Sequence, residues 1–160
     1  MAGKEERRVT VLAIIVGVAL IIAGVVMGIR RGWSNGEKVI LSEEYYGEFI
    51  DFDKISAEEY EELINNKKSF VVLVDQDGCH TADRLKEYIR KWAPGARIKV
   101  LKTMFSEMRK TSMHEKVKYY PSVVVIENGE IRAFLRADSD EDADEYNDYE
   151  AFKGWIEQYI

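Results

Sequence analysis

The chain has 160 residues, one cysteine and a net charge of −6, which allows one compact domain together with an anchor segment. A single cysteine excludes an intramolecular disulfide and a cysteine-rich zinc site. The acidic balance argues against a nucleic-acid partner, because binding to phosphates needs a basic surface.

The first patterned segment is an uncharged apolar run. Residues 10–29 contain no charged side chain over twenty positions, and as a helix they would span about 30 Å, the thickness of a bilayer's hydrocarbon core. A cleaved signal peptide would have a shorter apolar region and a small-residue cleavage site, whereas this run leads directly into Arg30 and Arg31. We therefore expect one N-terminal transmembrane helix at 10–29, preceded by a short tail at 1–9.

The basic residues that flank this run do not decide its orientation. Three lie before it and three follow it, so the positive-inside count is equal on the two sides. Because long domains cross a membrane largely regardless of charge, we expect a single-pass membrane protein with an extracytoplasmic soluble body. Gly24 and Gly28 have the spacing of a helix-dimer face, although glycine is common in membrane helices and such spacing is often incidental.

The rest of the chain is a strongly acidic, water-soluble body. Residues 32–160 carry 18 basic and 27 acidic side chains, a net charge of −9, and are long enough to form one core. The stretch at 30–48 is predicted as a juxtamembrane linker, because its glycine and serine content favours flexibility. The folded domain is then predicted at 49–160.

This body alternates strand and helix patterns. Residues 49–55 alternate apolar and polar side chains, which predicts a half-buried strand. Ser56 and Glu59 have the spacing of a capping box and predict the start of a helix. Residues 70–74 form a continuous apolar run, which is typical of a central strand covered on both faces.

The same alternation continues to the end of the chain. The order β-α-β-α-β-α-β-β-α predicts an α/β fold with a mixed sheet covered by helices on both faces. The remaining predicted elements are a helix from Cys79 to Pro94-Gly95, a strand at 97–102, a weaker helix at 106–118, a strand at 122–126, a tight turn at Asn128-Gly129, a returning strand at 130–136, and a last helix that buries Phe152, Trp155, Ile156 and Tyr159.

Three segments together carry a resemblance to a known family. The run FVVLVDQDGC at 70–79 is a strand that leads to a thiol, YPSVVV at 120–125 is a strand that follows a proline, and ENGE at 127–130 is a turn. In this order and spacing they resemble the thioredoxin family over residues 49–160. The resemblance implies a thioredoxin-like mixed β-sheet flanked by helices.

The resemblance also assigns residues to a site. The family's CxxC motif lies at the start of the second helix, where this chain has Cys79-His80-Thr81-Ala82, so Cys79 matches the attacking cysteine and Ala82 replaces the resolving one. Gly78 stands where the family usually has an aromatic residue. The implied catalytic residues are Cys79 and Pro121, the latter as the family's cis-proline, and the implied substrate-binding residues are Gly78, His80 and Tyr120.

A single thiol limits the available chemistry. Thiol–disulfide exchange passes through a mixed disulfide, and without a second cysteine an external thiol such as glutathione must resolve it. A helix N-terminus favours the thiolate, whereas the nearby Asp75, Asp77 and Asp83 disfavour it. Two functions therefore stay open, neither with a cofactor: monothiol exchange through Cys79, or a redox-inactive binding module that presents a groove and an acidic loop to a protein partner.

Metal sites are not expected from the residues present. Cys79 and His80 are adjacent, which is poor geometry for shared tetrahedral coordination, and the other histidine, His114, is predicted as a surface or partly buried residue. The alternating acidic residues at 138–144 resemble an EF-hand loop but lack its glycine and its final glutamate. We expect a solvated acidic loop over 138–150, which leaves weak Ca²⁺ binding or a basic partner open.

Overall fold

The computed structural model describes residues 37–160, and Lys38–Ile160 form one compact unit. The predicted transmembrane helix at 10–29, the tail at 1–9 and the Gly24/Gly28 pair lie outside the described residues. Among the helices of residues 37–160, none combines the length and the apolar character needed to cross a membrane.

One mixed sheet of five strands runs through the compact unit. Its strands are β1 (Asp53–Lys54), β2 (Phe70–Asp75), β3 (Leu101–Met104), β4 (Ser122–Glu127) and β5 (Glu130–Phe134). The strand order is β1-β3-β2-β4-β5, in which β3 is parallel to both β1 and β2, and β4 is antiparallel to both β2 and β5. This is the mixed sheet that the sequence predicts.

Helices cover both faces of this sheet. They are α1 (Ala57–Asn65), α2 (His80–Ala96), α3 (Phe105–Met108), α4 (Ala143–Asn147) and α5 (Tyr149–Ile156), with single 3-10 turns at Glu43–Tyr45, Ser112–Glu115 and Asp140–Asp142. Tyr60 of α1 contacts Phe70 with ring centroids 6.2 Å apart, while Lys86 of α2 reaches Asp75. Phe70 and Asp75 are five positions apart on one strand and point to opposite faces, so α1 and α2 lie on opposite sides of the sheet.

The predicted capping box is present at the start of α1. The Ser56 hydroxyl accepts the Glu59 N–H at 3.2 Å, and the Glu59 carboxylate accepts the Ser56 N–H at 2.7 Å. Each bond satisfies an amide that the first turn of a helix leaves without a partner. The same contacts lower the pKa of Glu59, first through the backbone bond to Ser56.

The predicted linker is partly wrong, because residues 38–48 belong to the compact unit. Val39, Leu41 and Tyr45 are buried in the hydrophobic core. The Val39 N–H also donates to the Tyr159 carbonyl at 2.7 Å. Burial of these apolar side chains holds the segment against the sheet, so the compact unit begins at Lys38 and not at residue 49.

Two predicted strands have different bounds in the structure. The strand predicted at 49–55 is reduced to Asp53–Lys54, and the one predicted at 97–102 lies at Leu101–Met104. The cause is a competing pairing: Gly47 donates to the Arg97 carbonyl at 2.8 Å, and Lys99 donates to the Tyr45 carbonyl at 2.9 Å. Residues 97–99 therefore pair with the N-terminal segment, although Ile98 is buried as its spacing predicts.

The weaker helix predicted at 106–118 is broken into α3 and a 3-10 turn. Thr111 interrupts it with an extended backbone (φ −110°, ψ 166°), and its hydroxyl donates to the Met108 carbonyl at 2.8 Å. A threonine that bonds the local backbone competes with continuation of a helix. Met108, Met113 and Val117 are nevertheless fully buried, which confirms them as core contacts.

The second helix continues beyond its predicted stop. Pro94 lies inside the last turn of α2, which ends at Ala96. Arg97 follows in the left-handed region (φ 55°), and the Ile98 N–H closes the helix end by donating to the Ala93 carbonyl at 3.2 Å. The left-handed residue, and not the proline, ends the helix.

The predicted turn between β4 and β5 is present and is held by another part of the chain. Asn128 and Gly129 both have positive φ (51° and 79°), as a two-residue hairpin turn requires. The Gly129 N–H donates to the Lys68 carbonyl at 2.9 Å. A Cβ on Gly129 would lie 2.4 Å from the Ile64 carbonyl oxygen, so the hairpin tip leaves no room for a side chain.

Replacing Gly129 by alanine should destabilise the fold by about 2 kcal/mol or more, through the positive φ and the backbone clash. Gly154→Ala is the matched control, because a Cβ there meets no atom within 4 Å in the middle of α5. It should stabilise the protein by about 0.5–1 kcal/mol through helix propensity. Urea unfolding followed by tryptophan fluorescence measures both, and equal effects of the two variants would contradict the tight tip.

Candidate functional site

Three of the predicted site residues line one open cleft. Cys79, Tyr120 and Pro121 lie on the wall of a depression of about 450 Å³. The Tyr120–Pro121 peptide bond is cis, as the resemblance implied. The other residues that line the cleft are Thr81, Ala137, Asp138, Ser139, Asp140, Ala143, Tyr146 and Asn147.

The sheet register brings the thiol and the proline together. Val74, near the end of β2, pairs with Ser122 at the start of β4. The chain leaves β2 toward Cys79 at the same edge where Pro121 leads into β4. Because the two strands are antiparallel neighbours, residues beyond this pair meet although 42 positions separate Cys79 from Pro121 in the sequence.

Cys79 occupies the position immediately before α2. Its thiol is free and half-buried. Its backbone carbonyl accepts the Asp83 N–H at 3.1 Å, and its backbone N–H donates to the Gln76 carbonyl at 3.3 Å. Gly78 supplies the turn into this position with a left-handed φ of 70°. The thiol is therefore held at a helix N-terminus by a short, hydrogen-bonded turn.

The two other predicted substrate-binding residues flank the cleft without lining it. Gly78 is exposed, and a Cβ there would meet no atom within 4 Å. His80 is the exposed first residue of α2. Thr81, which the resemblance did not single out, lines the cleft in their place.

Ala82 lies in the first turn of α2 and is fully buried. This is the position at which the CxxC motif carries its resolving cysteine. Because Cys79 is the only cysteine of the sequence, a mixed disulfide on Cys79 has no internal thiol to attack it.

The acidic residues near the thiol are largely paired with lysines. Asp75 is buried, and its Oδ2 lies 3.4 Å from Nζ of both Lys86 and Lys102. Lys86 also contacts Asp83 at 2.8 Å; that hydrogen bond is the main cause that raises the pKa of Lys86 and lowers the pKa of Asp83. The repulsion that the sequence suggested is therefore offset for Asp75 and Asp83. Asp77 is exposed and has no ion pair within residues 37–160.

Tyr120, which lines the cleft, is held in place by an aromatic cluster. Its ring lies 4.8 Å from that of Phe105 and stacks on His114 at 6.3 Å. Its hydroxyl donates to the Val117 carbonyl and is 3.5 Å from His114 Nδ1. Burial raises the pKa of Tyr120 to about 12. His114 is partly buried, within what the sequence predicted.

The predicted acidic loop at 138–150 is folded, which corrects the expectation of a solvated loop. A 3-10 turn at Asp140–Asp142 leads into α4, and Tyr146 of α4 is buried. The Tyr146 hydroxyl is 2.8 Å from the Pro121 carbonyl oxygen and 3.1 Å from that of Leu135. The apolar ring of Tyr146 amid acidic residues was the sequence signal for this packing. The segment thereby forms one wall of the cleft.

Across residues 37–160, no group of three or more His, Cys, Asp or Glu side chains is arranged to hold a metal ion.

Comparison with solved structures identifies the fold. The oxidised thioredoxin of Plasmodium falciparum superposes with a TM-score of 0.51 at 16% identity, covering 68% of this chain and 98% of that chain. The reduced thioredoxin pre-protein of Schistosoma mansoni gives 0.50 at 16% identity, covering 71% and 100%. Mitochondrial thioredoxin 3 of Saccharomyces cerevisiae, in its oxidised form, gives 0.50 at 14% identity, covering 67% and 94%.

This protein has the thioredoxin fold, as the resemblance implied, and at such identities the likeness concerns the fold alone. No protein-family model matches the chain. No curated protein matches it either.

Replacing Tyr146 by phenylalanine should lower the free energy of unfolding by about 1–3 kcal/mol, because the buried Pro121 carbonyl loses its hydrogen bond. Tyr149→Phe is the matched control: its ring packs against Tyr88, and no hydrogen bond of its hydroxyl is present in the described part of the chain. Urea unfolding measures both variants. Equal losses would show that the Tyr146 hydroxyl does not hold the wall to the proline.

Proposed function

We propose that this protein is a membrane-anchored thioredoxin-like protein that performs monothiol thiol–disulfide exchange through Cys79. The observation that carries the proposal is the shared cleft: the only thiol of the chain and the cis-Pro121 line the same open depression. A disulfide segment bound against Pro121 would lie beside the Cys79 sulfur. Tyr120 and Pro121 would then position the substrate, and Gly78 and His80 would flank it.

The exchange has two balanced steps. The Cys79 thiolate attacks one sulfur of the substrate disulfide, forms a mixed disulfide and releases the other sulfur as a thiolate, which takes up a proton. An external thiol of the glutathione type loses its proton, attacks the substrate sulfur of the mixed disulfide as a thiolate and releases Cys79 as a thiolate. In the net reaction, one substrate sulfur is reduced to a thiol, and the external thiol is oxidised to a disulfide with the other substrate sulfur.

A second function is favoured by one observation, the buried Ala82. A domain with Ala82 in place of a second thiol can use the cleft as a redox-inactive binding module for a protein partner. The two functions differ in whether Cys79 forms mixed disulfides, and one experiment separates them.

The full chain in non-ionic detergent is incubated with bis(2-hydroxyethyl) disulfide, a neutral probe, and its intact mass is measured. We expect a mixed disulfide on Cys79 that glutathione removes, and no adduct on the Cys79→Ser variant. Native protein that forms no adduct, although denatured protein does, would overturn the exchange function and leave the binding module.

A second arm tests the missing resolving thiol. In Ala82→Cys the introduced thiol lies three residues from Cys79 in the first turn of α2, so the adduct should resolve internally without glutathione. Ala96→Cys is the matched control, since it places a thiol at the far end of the same helix, about 25 Å away. Equal lifetimes of the adduct in the two variants would show that the Ala82 position does not face the Cys79 sulfur.

The sequence supports a membrane tether at residues 10–29, with the body on the extracytoplasmic side. Protease added outside intact cells should digest residues 32–160, and lysed cells provide the control for protease activity. A body that is protected in intact cells and digested after lysis would reverse the orientation.

Because Gly24 and Gly28 have dimer spacing, a helix dimer through them is part of the proposal; Gly24→Leu should abolish cross-linking between copies in the membrane.

A further inference from the structure

The cleft has a charged side that the thiol and the proline do not explain. Its far wall is the segment 137–147, which we call the acidic wall, and Asp138 and Asp140 of this wall line the cleft. Both side chains belong to exposed residues. The site therefore joins a thiol, a cis-proline edge and two carboxylates in one depression of about 450 Å³.

The exposed Arg136 neutralises other carboxylates of this region but not these two. Arg136 lies 2.7 Å from the Glu141 carboxylate and 2.8 Å from that of Asp142, and these contacts raise its pKa. Within residues 37–160, neither Asp138 nor Asp140 takes part in an ion pair. Asp138 and Asp140 therefore present unbalanced charge to the cleft, whereas Asp144 and Glu145 of the same segment do not line it.

The acidic wall is fixed in place relative to the thiol. The Tyr146 hydroxyl bonds to the Pro121 carbonyl, and Arg84 of α2 donates to the Tyr146 carbonyl at 3.1 Å and to the Asn147 side chain. Cys79 directly precedes that same helix. The backbone of the acidic wall is therefore anchored to α2 and to Pro121, the elements that carry the thiol side and the proline side of the cleft.

We propose that the cleft selects disulfides in protein segments that carry lysine or arginine beside the cysteine. Resting on the proposed exchange function, this names the class of its substrate. A basic side chain next to the disulfide would meet Asp138 and Asp140 while its sulfur lies at Cys79. Opposite charges across a cleft favour the matching partner and disfavour an acidic one.

Binding is measured first with peptides that cannot react. Two fluorescent eight-residue peptides with serine in place of cysteine, one flanked by lysine and one by glutamate, are titrated against the full chain in non-ionic detergent. The lysine peptide should bind more tightly by a factor of about five, and added salt should reduce the difference. Equal affinities at low salt would overturn the inference.

Matched variants place the effect in the cleft. Asp138→Asn combined with Asp140→Asn removes two charges from the cleft wall and should abolish the preference for the lysine peptide. Asp144→Asn combined with Glu150→Gln removes two exposed charges that do not line the cleft and should leave most of the preference. If both pairs reduce the preference equally, the overall charge of the domain is responsible and the cleft carries no selectivity.

Disulfide-bonded versions of the same two peptides then separate this inference from the proposed function. A lysine preference in the serine peptides with no adduct on Cys79 supports the charge selectivity and overturns the exchange. Equal rates of adduct formation on Cys79 with the two disulfide peptides would overturn the selectivity while the exchange stands.

Discussion

The antiparallel pairing of β2 with β4 is the constraint on which the cleft depends. The whole of β2 is buried, and its partners are β3 on one side and β4 on the other. The pairing of Val74 with Ser122 sets the end of the sheet at which β2 leads on to Cys79 and Pro121 leads into β4. A shift of one residue would turn every side chain of β2 to the opposite face of the sheet. The register of this pairing therefore fixes where the thiol and the proline lie relative to each other.

Charge is distributed unequally around this constraint. At the end of β2, the buried Asp75 lies between Lys86 and Lys102, which offset its charge. On the side of the acidic wall, Arg136 balances part of the charge and leaves Asp138 and Asp140 unpaired within the described residues. Residues 32–160 carry a net charge of −9, and the two carboxylates that line the cleft, Asp138 and Asp140, both lie on one wall.

Local patterns were sufficient to predict the elements whose stability is local. The capping box at Ser56, the buried run of β2 and the turn at Asn128-Gly129 each carry their own physical cause within a few residues. The thiol and the proline were placed together by the resemblance to thioredoxins, because the register that joins them involves residues far apart in the sequence.

What the sequence did not predict depends on contacts between distant segments. Residues 97–99 were displaced from the sheet by pairing with residues 45–47, which no periodicity within either segment could indicate. The acidic wall looked solvated because acidic residues dominate its composition, and its fold depends on Tyr146 reaching the Pro121 carbonyl. The carboxylates of the cleft were thus visible as a charged stretch but not as part of the site.

The hydrogen bond between Val39 and Tyr159 holds the two ends of the compact unit next to each other. The Val39 N–H bonds to the Tyr159 carbonyl at 2.7 Å, and Lys38 Nζ bonds to the Ile160 carbonyl at 2.6 Å, so the chain enters and leaves the unit at one place. Adjacent ends are what allow a fold to be circularly permuted. The fold of residues 38–160 is therefore compatible with a short peptide joining its two ends and a new opening in a surface turn elsewhere, without rearrangement of the sheet.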